Sequence, residues 1–133
     1  HRCMAAPVRR CHAFPVKRGE SDRGAIKAAV GVLREGRILG LFPEGTRSKT
    51  GELQKAEAGV ALIAAMTGAP IVPVAILNSH RIFANGGFLP QLRIMYGVPI
   101  SFHGDRKSKE ALDAFSSEVM GHIAQMKDEL KNK

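Results

Sequence analysis

The sequence is poor in aromatic residues and in cysteine. It holds no Trp, one Tyr and six Phe among its 133 residues, so it supplies few of the aromatic platforms on which proteins stack single-stranded nucleic acids. Its two cysteines, Cys3 and Cys11, lack the C-x-x-C spacing of zinc and redox motifs. We therefore expect a reduced intracellular protein that holds no metal ion.

Long apolar runs are also missing from the sequence. The most apolar stretch, residues 58–66, is much shorter than the roughly 20 residues that a membrane-spanning helix needs. No secretory signal peptide is recognisable. No Gly-x-x-x-x-Gly-Lys-Ser/Thr sequence occurs, which argues against a P-loop nucleotide enzyme. The first residue is His1 rather than Met, and we expect the chain to be part of a longer protein.

Positive charge is abundant and unevenly distributed. Residues 1–55 contain twelve Lys or Arg against five Asp or Glu, a net charge of +7, whereas residues 56–133 contain eight against seven, a net charge of +1. A basic half of this kind favours an anionic partner, such as a phosphorylated substrate, a nucleic acid or an acidic membrane surface. Charge alone does not choose among these partners, and a solvated basic surface fits it equally well.

Apolar segments and turn residues alternate along the chain in a pattern typical of an α/β domain. Helices are predicted from Ser21 or Asp22 to residue 35, at residues 55–67, and from a cap at Ser108 onwards. Strands are predicted at residues 13–17, 37–42, 71–77, 92–96 and 98–102. The alternation predicts one domain over residues 1–133, incomplete at its N-terminus, with a mixed, largely parallel sheet flanked by helices.

Several single residues define the ends and faces of these elements. Gly36 and Gly68 are placed to end the first two helices, and Pro73 suggests an edge, a bulge or the end of its strand. The last helix carries apolar residues every three or four positions, which predicts a face turned to the core. These residues are Leu112, Phe115, Val119, Ile123, Met126 and Leu130.

The loop after the predicted strand at residues 37–42 combines residue types that suit a phosphate group. Gly45 permits a close approach of the backbone to a ligand, and Thr46 offers a hydroxyl donor. Arg47 presents a planar fork that can hold two phosphate oxygens. Glu44 would repel a phosphate, so we expect it to orient an arginine or to accept a hydrogen bond from a substrate hydroxyl. A surface turn with incidental charges fits the same residues.

Three blocks of the sequence resemble conserved motifs of the bacterial-type 1-acylglycerol-3-phosphate acyltransferase family. Residues 42–48, Phe-Pro-Glu-Gly-Thr-Arg-Ser, resemble the family's third block. Residues 13–19, Ala-Phe-Pro-Val-Lys-Arg-Gly, are similar to the second block, in which a Pro-Val pair precedes an arginine. Residues 71–76, Ile-Val-Pro-Val-Ala-Ile, are similar to the fourth block. The blocks occur in the family's order, so the resemblance covers about residues 11–76.

This resemblance implies a glycerolipid acyltransferase-like fold and the transfer of an acyl chain to a lysophosphatidate-type acceptor in phospholipid synthesis. The donor would be a thioester on coenzyme A or acyl carrier protein, and no further cofactor would be needed. Arg18 and Arg47 would bind the phosphate of the acceptor. The pocket around that phosphate would be shaped by Glu44, Gly45 and Thr46. Val72 and Pro73 would lie near the acyl or acceptor site.

The family's first block, His-x-x-x-x-Asp, has no counterpart in this sequence. In the family its histidine is the general base for the attacking hydroxyl, and its aspartate orients the imidazole. No histidine here is followed by an acid five positions later, where the sequence has Ala6, Lys17, Asn85, Ser108 and Lys127. We therefore assign no catalytic residue and expect the chain alone to be inactive. Truncation explains the missing block best, and a degenerate family member is the alternative.

Two further expectations concern partners and location. We expect the protein to act at the cytoplasmic face of a membrane, as a peripheral protein or through an N-terminal anchor outside this sequence, and we expect no nucleic acid partner. The competing hypothesis is a non-catalytic basic module that binds anionic lipid or nucleic acid, which the charge of residues 1–55 supports. The acyl chain length, the donor carrier, the acceptor head group and the oligomeric state are left open.

Overall fold

The computed structural model describes residues 23–43, 59–78 and 91–132. Contacts divide the chain into two compact units, His1–Gly40 and Leu41–Lys133, which are described separately. The described part of the first unit contains helix α1. The described part of the second contains α2, strands β1 and β2, and α3. The element bounds are α1 Arg23–Arg34, α2 Gly59–Thr67, β1 Val74–Leu77, β2 Arg93–Tyr96 and α3 Lys109–Lys131.

Helix α1 is amphipathic and ends at a glycine, as the sequence predicts. Its apolar side includes the buried residues Ala29 and Val30. Gly36 follows the helix with a φ of 72°, a left-handed conformation that glycine adopts without a Cβ penalty. The Gly36 amide donates to the Leu33 carbonyl at 3.0 Å, and the amide of the next residue donates to the Val32 carbonyl at 3.2 Å. These two bonds satisfy carbonyls that the end of the helix leaves without intrahelical partners.

Helix α2 also ends at a glycine in a left-handed conformation. Gly68 has a φ of 69°, and its amide donates to the Ala64 carbonyl at 2.8 Å. The Thr67 hydroxyl donates to the Ile63 carbonyl at 2.8 Å and accepts from the Ala69 amide at 3.2 Å. The predicted stop at Gly68 is therefore confirmed, and residues 55–58 of the predicted helix lie outside the described residues.

Strands β1 and β2 form an antiparallel pair with Val74 opposite Tyr96 and Ile76 opposite Ile94. The Pro73 carbonyl accepts from the Gly97 amide at 2.8 Å, and beyond them the pairing continues at an isolated bridge between Ile71 and Ile100. Two residues of the first segment thus span the same length as three of the second, which is a β-bulge. Strand β1 begins at Val74 and not at the predicted residue 71. Pro73 lies beside the bulge, one of the three positions that the sequence suggests for it, because it has no amide to donate.

Helix α3 packs against both α2 and the sheet of the second unit. Its N-terminal half packs on α2 through a cluster of Ala61, Ala64, Phe115, Val119 and Ile123. Its C-terminal half packs on one face of the sheet, where Met126 and Leu130 meet Ala75. Five of the six predicted stripe residues are buried and Leu112 is partly buried. The predicted cap at Ser108 is also confirmed, because its side chain accepts from the Ala111 amide.

Two of the predicted strands differ from the structure. Residues 37–42 form no strand, and Ile38 and Phe42 have exposed fractions of 94% and 82%. An apolar run becomes a strand only where another strand takes up its backbone hydrogen bonds, which the run itself does not specify. At residues 98–102 only Ile100 pairs, because of the bulge. The two strands of the described residues pair antiparallel and not parallel. The strand predicted at residues 13–17 lies outside the described residues.

Candidate functional site

The residues predicted to bind phosphate lie outside the described part of the chain, whereas the predicted acyl or acceptor residues lie within it. Arg18 falls before residue 23, and the other four fall between residues 43 and 59: Glu44, Gly45, Thr46 and Arg47. The structure therefore brings together only Val72 and Pro73 among the predicted site residues. Their roles in substrate binding stay predictions.

Val72 and Pro73 point to opposite sides of the sheet. Pro73 is buried, and its ring lies 3.5 Å from the position that a Cβ on Gly97 would take. Val72 is 46% exposed, because successive side chains of an extended segment alternate between the two faces. Pro73 therefore contributes to the packing where the sheet meets α3, and Val72 is the member of the pair that solvent or a ligand can reach.

The face of the sheet that carries Val72 consists of aliphatic side chains and one tyrosine. Its cross-strand pairs are Val74 with Tyr96 and Ile76 with Ile94, and Tyr96 is 73% exposed. The face turned to α3 is mostly apolar, with Ala75 and Met95 against Met126. Its charged residue, Arg93, donates to the Leu130 carbonyl at 3.0 Å. Strands with apolar residues on both faces are typical of sheets covered on both sides. The sequence analysis did not single out Ile94 and Tyr96, although apolar residues in both phases of the strand pattern could have indicated this face.

Basic side chains without carboxylate partners lie along α1. Arg23, Lys27 and Arg34 are exposed, and none of them forms an ion pair with another described residue. Arg37, just beyond the helix, pairs with Glu35 at 2.7 Å. The helix contains no acidic residue. Within the residues that the structure describes, these three cations of α1 are therefore not neutralised by a carboxylate.

Two carboxyl groups of α3 have shifted acidities with structural causes. Hydrogen bonds from the backbone and from Ser108 at the helix start lower the pKa of Glu110. The hydrogen bond from Lys131, at 2.8 Å, lowers the pKa of Asp128 near the helix end. Both groups are stabilised as carboxylates by capping and ion pairing of α3, so neither shift indicates a catalytic acid.

A small cavity in the second unit does not coincide with the predicted site. Its volume is about 270 Å³, and it lies between residues 101–104 and α3, with His103 and Glu118 in its lining. No predicted site residue lines it. In residues 23–43, 59–78 and 91–132, no group of three or more His, Cys, Asp or Glu side chains could hold a metal ion. No helix of those segments is long and apolar enough to span a membrane.

Comparison with protein families gives one match over more than half of the chain. The model of the family described as Acyltransferase matches residues 2–77. This range contains all three sequence blocks and therefore every predicted site residue. It ends at Leu77, the last residue of β1.

Individual relatives agree with the family match. The chain is 31% identical over 128 residues to a 1-acyl-sn-glycerol-3-phosphate acyltransferase of Bacillus subtilis, covering 92% of this chain and 61% of the relative. It is 32% identical over 120 residues to the chloroplastic 1-acyl-sn-glycerol-3-phosphate acyltransferase LPAT1 of Arabidopsis thaliana, covering 86% of this chain and 32% of that one. The chain thus spans a third to three fifths of the length of these relatives.

A solved structure also resembles the chain. The crystal structure of the 1-acyl-sn-glycerophosphate (LPA) acyltransferase PlsC from Thermotoga maritima is similar with a TM-score of 0.65 and 29% sequence identity, over 82% of this chain and 45% of that one. The similarity confirms the predicted α/β acyltransferase-like fold class, of which this chain contains a part.

Proposed function

Because the chain belongs to the acyltransferase family, we propose that it takes part in transferring an acyl chain from a thioester to a lysophosphatidate-type acceptor in phospholipid synthesis. The observation that carries the proposal is the family match over residues 2–77, which contains the Phe-Pro-Glu-Gly-Thr-Arg-Ser block at residues 42–48. The names of relatives from Bacillus subtilis and Arabidopsis thaliana support the same acceptor class.

In the proposed reaction, a glycerol hydroxyl oxygen attacks the thioester carbonyl carbon. An ester C–O bond forms, the C–S bond breaks, the hydroxyl proton passes to a base, and the donor leaves as a thiol. The donor is acyl-coenzyme A or acyl carrier protein, and the chemistry needs no additional cofactor. The base is not assigned to this chain, since none of its histidines has an acid five residues later.

The contribution of this chain is to hold the acceptor. Arg18 and Arg47 bind its phosphate through charge-assisted hydrogen bonds, which are stronger than bonds between neutral groups. Gly45 admits the phosphate close to the backbone, and Thr46 donates from its hydroxyl. Glu44 orients an arginine or accepts a hydrogen bond from a substrate hydroxyl. Val72 lies near the acyl or acceptor chain, and its exposed side chain on an apolar face is compatible with that role.

The nature of the acceptor suggests where the protein acts. Lysophosphatidate-type molecules carry a hydrocarbon chain, so we propose that the protein meets them at the cytoplasmic surface of a membrane. The net charge of +7 in residues 1–55 favours approach to an anionic lipid surface over short distances.

The phosphate site is tested by ligand binding to the chain as it stands. Lysophosphatidate should bind more tightly than lysophosphatidylcholine, and Arg47→Ala should weaken lysophosphatidate binding by about tenfold or more, since a hydrogen bond to a charged group contributes about 1.5–3 kcal/mol. The matched control is Arg106→Ala, which removes the same charge from an exposed turn of the second unit. Equal losses in both variants would contradict the assignment of Arg47.

A basic module that binds nucleic acid is the second candidate, supported by the exposed cations of α1, which form no ion pair with another described residue. It predicts salt-sensitive binding of duplex DNA with no preference for lysophosphatidate. Electrophoretic mobility of a DNA duplex, measured at the concentrations used for lipid binding, separates the two candidates.

A further inference from the structure

One face of the sheet formed by β1 and β2 is exposed to solvent. The other face packs on α3 through Ala75 and Met95. Side chains that alternate along the two strands form the exposed face, and they are Val72, Val74, Ile76, Ile94 and Tyr96. These five residues are called the open face. Val74 is partly exposed and the other four are exposed, so the open face is a continuous surface rather than a single exposed side chain.

The open face carries no charged residue. A nucleic acid or an acidic peptide would need cations on the surface that it contacts, so this face favours an apolar occupant. Residues 56–133, which contain the open face, have a net charge of only +1. Two copies of this part of the chain therefore repel each other weakly, and more distant charges are screened at physiological ionic strength.

The size of the open face reaches the lower limit of a specific protein interface. The residues on either side of β2 extend it, since Leu92 is 42% and Val98 is 80% exposed. Together the exposed fractions correspond to roughly 500 Å² or slightly more on one copy, so two copies in contact would bury about 1,000 Å², which is the area that a biological interface needs. Patches of this size on a protein surface commonly mark interaction sites.

We propose that two copies of the chain associate through their open faces and form a symmetric dimer. A two-fold axis brings the same surface of both copies together, so one apolar patch is sufficient and no second surface is required. Sheets packed face to face lie about 10 Å apart with interdigitating side chains. Tyr96 is the most exposed residue of the open face, at 73%, and aromatic residues contribute strongly to interface stability.

The dimer goes beyond the proposed function and shares one residue with it. Val72 belongs to the open face, and it is also the predicted acyl or acceptor residue that a ligand can reach. A second copy and a bound acceptor would therefore use overlapping surface. Lysophosphatidate, added below the concentration at which it forms micelles, should lower the fraction of dimer.

The test is sedimentation velocity of the chain over a wide range of protein concentrations. A monomer–dimer equilibrium is expected, with a dissociation constant on the order of micromolar because the interface is small. The equilibrium should persist at high salt, since burial of apolar surface is not screened. A monomer at every concentration, or species that keep growing beyond a dimer, would overturn the proposal.

Ile94→Lys places a charge in the middle of the open face of each copy. It should raise the dissociation constant by about 30-fold or more, because the interface would bury an unpaired charge. Ile94→Thr is a milder variant that keeps a β-branched side chain suited to a strand, and it should weaken the dimer by about tenfold. Circular dichroism should show that both variants stay folded, since Ile94 is 50% exposed.

The matched control is Met66→Lys, which introduces the same charge at a residue of similar exposure on α2, outside the sheet. Met66 is 41% exposed. This variant should leave the dissociation constant within about threefold of the original, because an exposed charge outside the interface is largely screened. Equal weakening by Met66→Lys and Ile94→Lys would mean that added charge alone separates the copies, and it would overturn the proposal.

Tyr96 reports on the interface directly. It is the one tyrosine of a sequence without Trp, so the tyrosine fluorescence of the chain comes from this residue. Quenching by acrylamide should decrease as the concentration rises and the dimer forms. Unchanged quenching in a dimer would place the contact elsewhere and overturn the proposal. A dimer fraction that lysophosphatidate binding does not change would leave the dimer in place and would instead remove Val72 from the acceptor site.

Discussion

Gly104 shows how a single hydrogen atom in place of a side chain sets the packing of the second unit. A Cβ at this position would lie 2.9 Å from the Phe102 ring and 3.0 Å from the Ala111 Cβ. The Phe102 ring also makes an edge-to-face contact with Phe115, with ring centroids 5.3 Å apart. The turn can therefore lie this close to α3 only because residue 104 is glycine.

Replacing Gly104 by alanine should destabilise the protein by about 1–2 kcal/mol, because overpacking forces rigid neighbours apart. The matched control is Gly121→Ala within α3. A Cβ there meets no atom within 4 Å, and alanine is favoured over glycine in a helix by about 1 kcal/mol. Urea unfolding followed by circular dichroism should thus show opposite signs for the two variants. A neutral or stabilising Gly104→Ala would show that the turn adjusts freely.

Two neighbouring residues of the block at residues 71–76 have different structural environments. In the Val-Pro-Val strand block, Pro73 is buried and accepts a hydrogen bond from Gly97 at 2.8 Å, whereas Val72 is exposed on the opposite face. The motif resemblance assigned both to the substrate site. Of these two residues, Val72 is the one that a ligand can reach. We therefore expect substrate contacts at this block on the face of the strand that carries residues 72, 74 and 76.

At the scale of elements, charged side chains near both ends of α3 contribute to the stability of the helix. Glu110 lies in the first turn and Asp128 near the last, and the pKa of each is lowered by hydrogen bonds that favour the carboxylate. Such groups stabilise the folded state above their unfolded pKa, which is about 4. That stabilisation is lost as the pH falls through the lower folded value. The helix should therefore weaken in acid.

The contribution of Asp128 is tested by Lys131→Gln. The largest cause of its lowered pKa is the hydrogen bond from Lys131, so the variant should raise the pKa of Asp128 towards its ordinary value. Glu110 provides the internal control, since its shift comes mainly from the backbone and Ser108. Carboxyl chemical shifts followed by NMR during an acid titration measure both groups. An unchanged Asp128 titration would exclude Lys131 as the cause.

Elements with local chemical signals were predictable from the sequence, and elements that depend on partners were not. Gly36 and Gly68 end their helices and Ser108 caps α3 because the bonds that define these ends are made within a few residues. Residues 37–42 were wrongly predicted as a buried strand because strand formation depends on a distant pairing segment. The bulge before Ile100 arises from the combination of two segments, which no local pattern contains.

The candidate site divides in the same way. The residues predicted to bind phosphate come from two short contiguous motifs, at residues 13–19 and 42–48, and the family match over residues 2–77 covers both. The sequence analysis missed the face of the sheet that carries Val72. This face brings Val72 close to Ile94 and Tyr96, which lie on the other strand. Their proximity follows from the antiparallel register alone. A sequence motif contains residues that are adjacent along the chain, whereas this face is formed by residues that are adjacent across two paired strands.

At the scale of the whole molecule, the chain is expected to hold an acceptor without completing the reaction. Attack by a glycerol hydroxyl requires removal of its proton, and positioned general bases typically contribute 10²–10⁴-fold to such steps. None of the five histidines has the acid five residues later that would orient it. Two of these histidines, His103 and His122, lie within the described segments, and both are exposed. Neither therefore has the enclosed environment of a catalytic dyad.

Incubation of the chain with acyl-coenzyme A and lysophosphatidate should accordingly release thiol at no more than the uncatalysed rate, although lysophosphatidate binds. The acyltransferase of Bacillus subtilis, 31% identical to this chain, serves as the positive control under the same conditions. Turnover above the background would contradict the expectation. Histidine-to-alanine variants would then identify the base, beginning with His12, which lies closest in sequence to the Pro-Val-Lys-Arg block. Binding without turnover would separate the two parts of the reaction, acceptor capture and proton removal, and would place only the first in this chain.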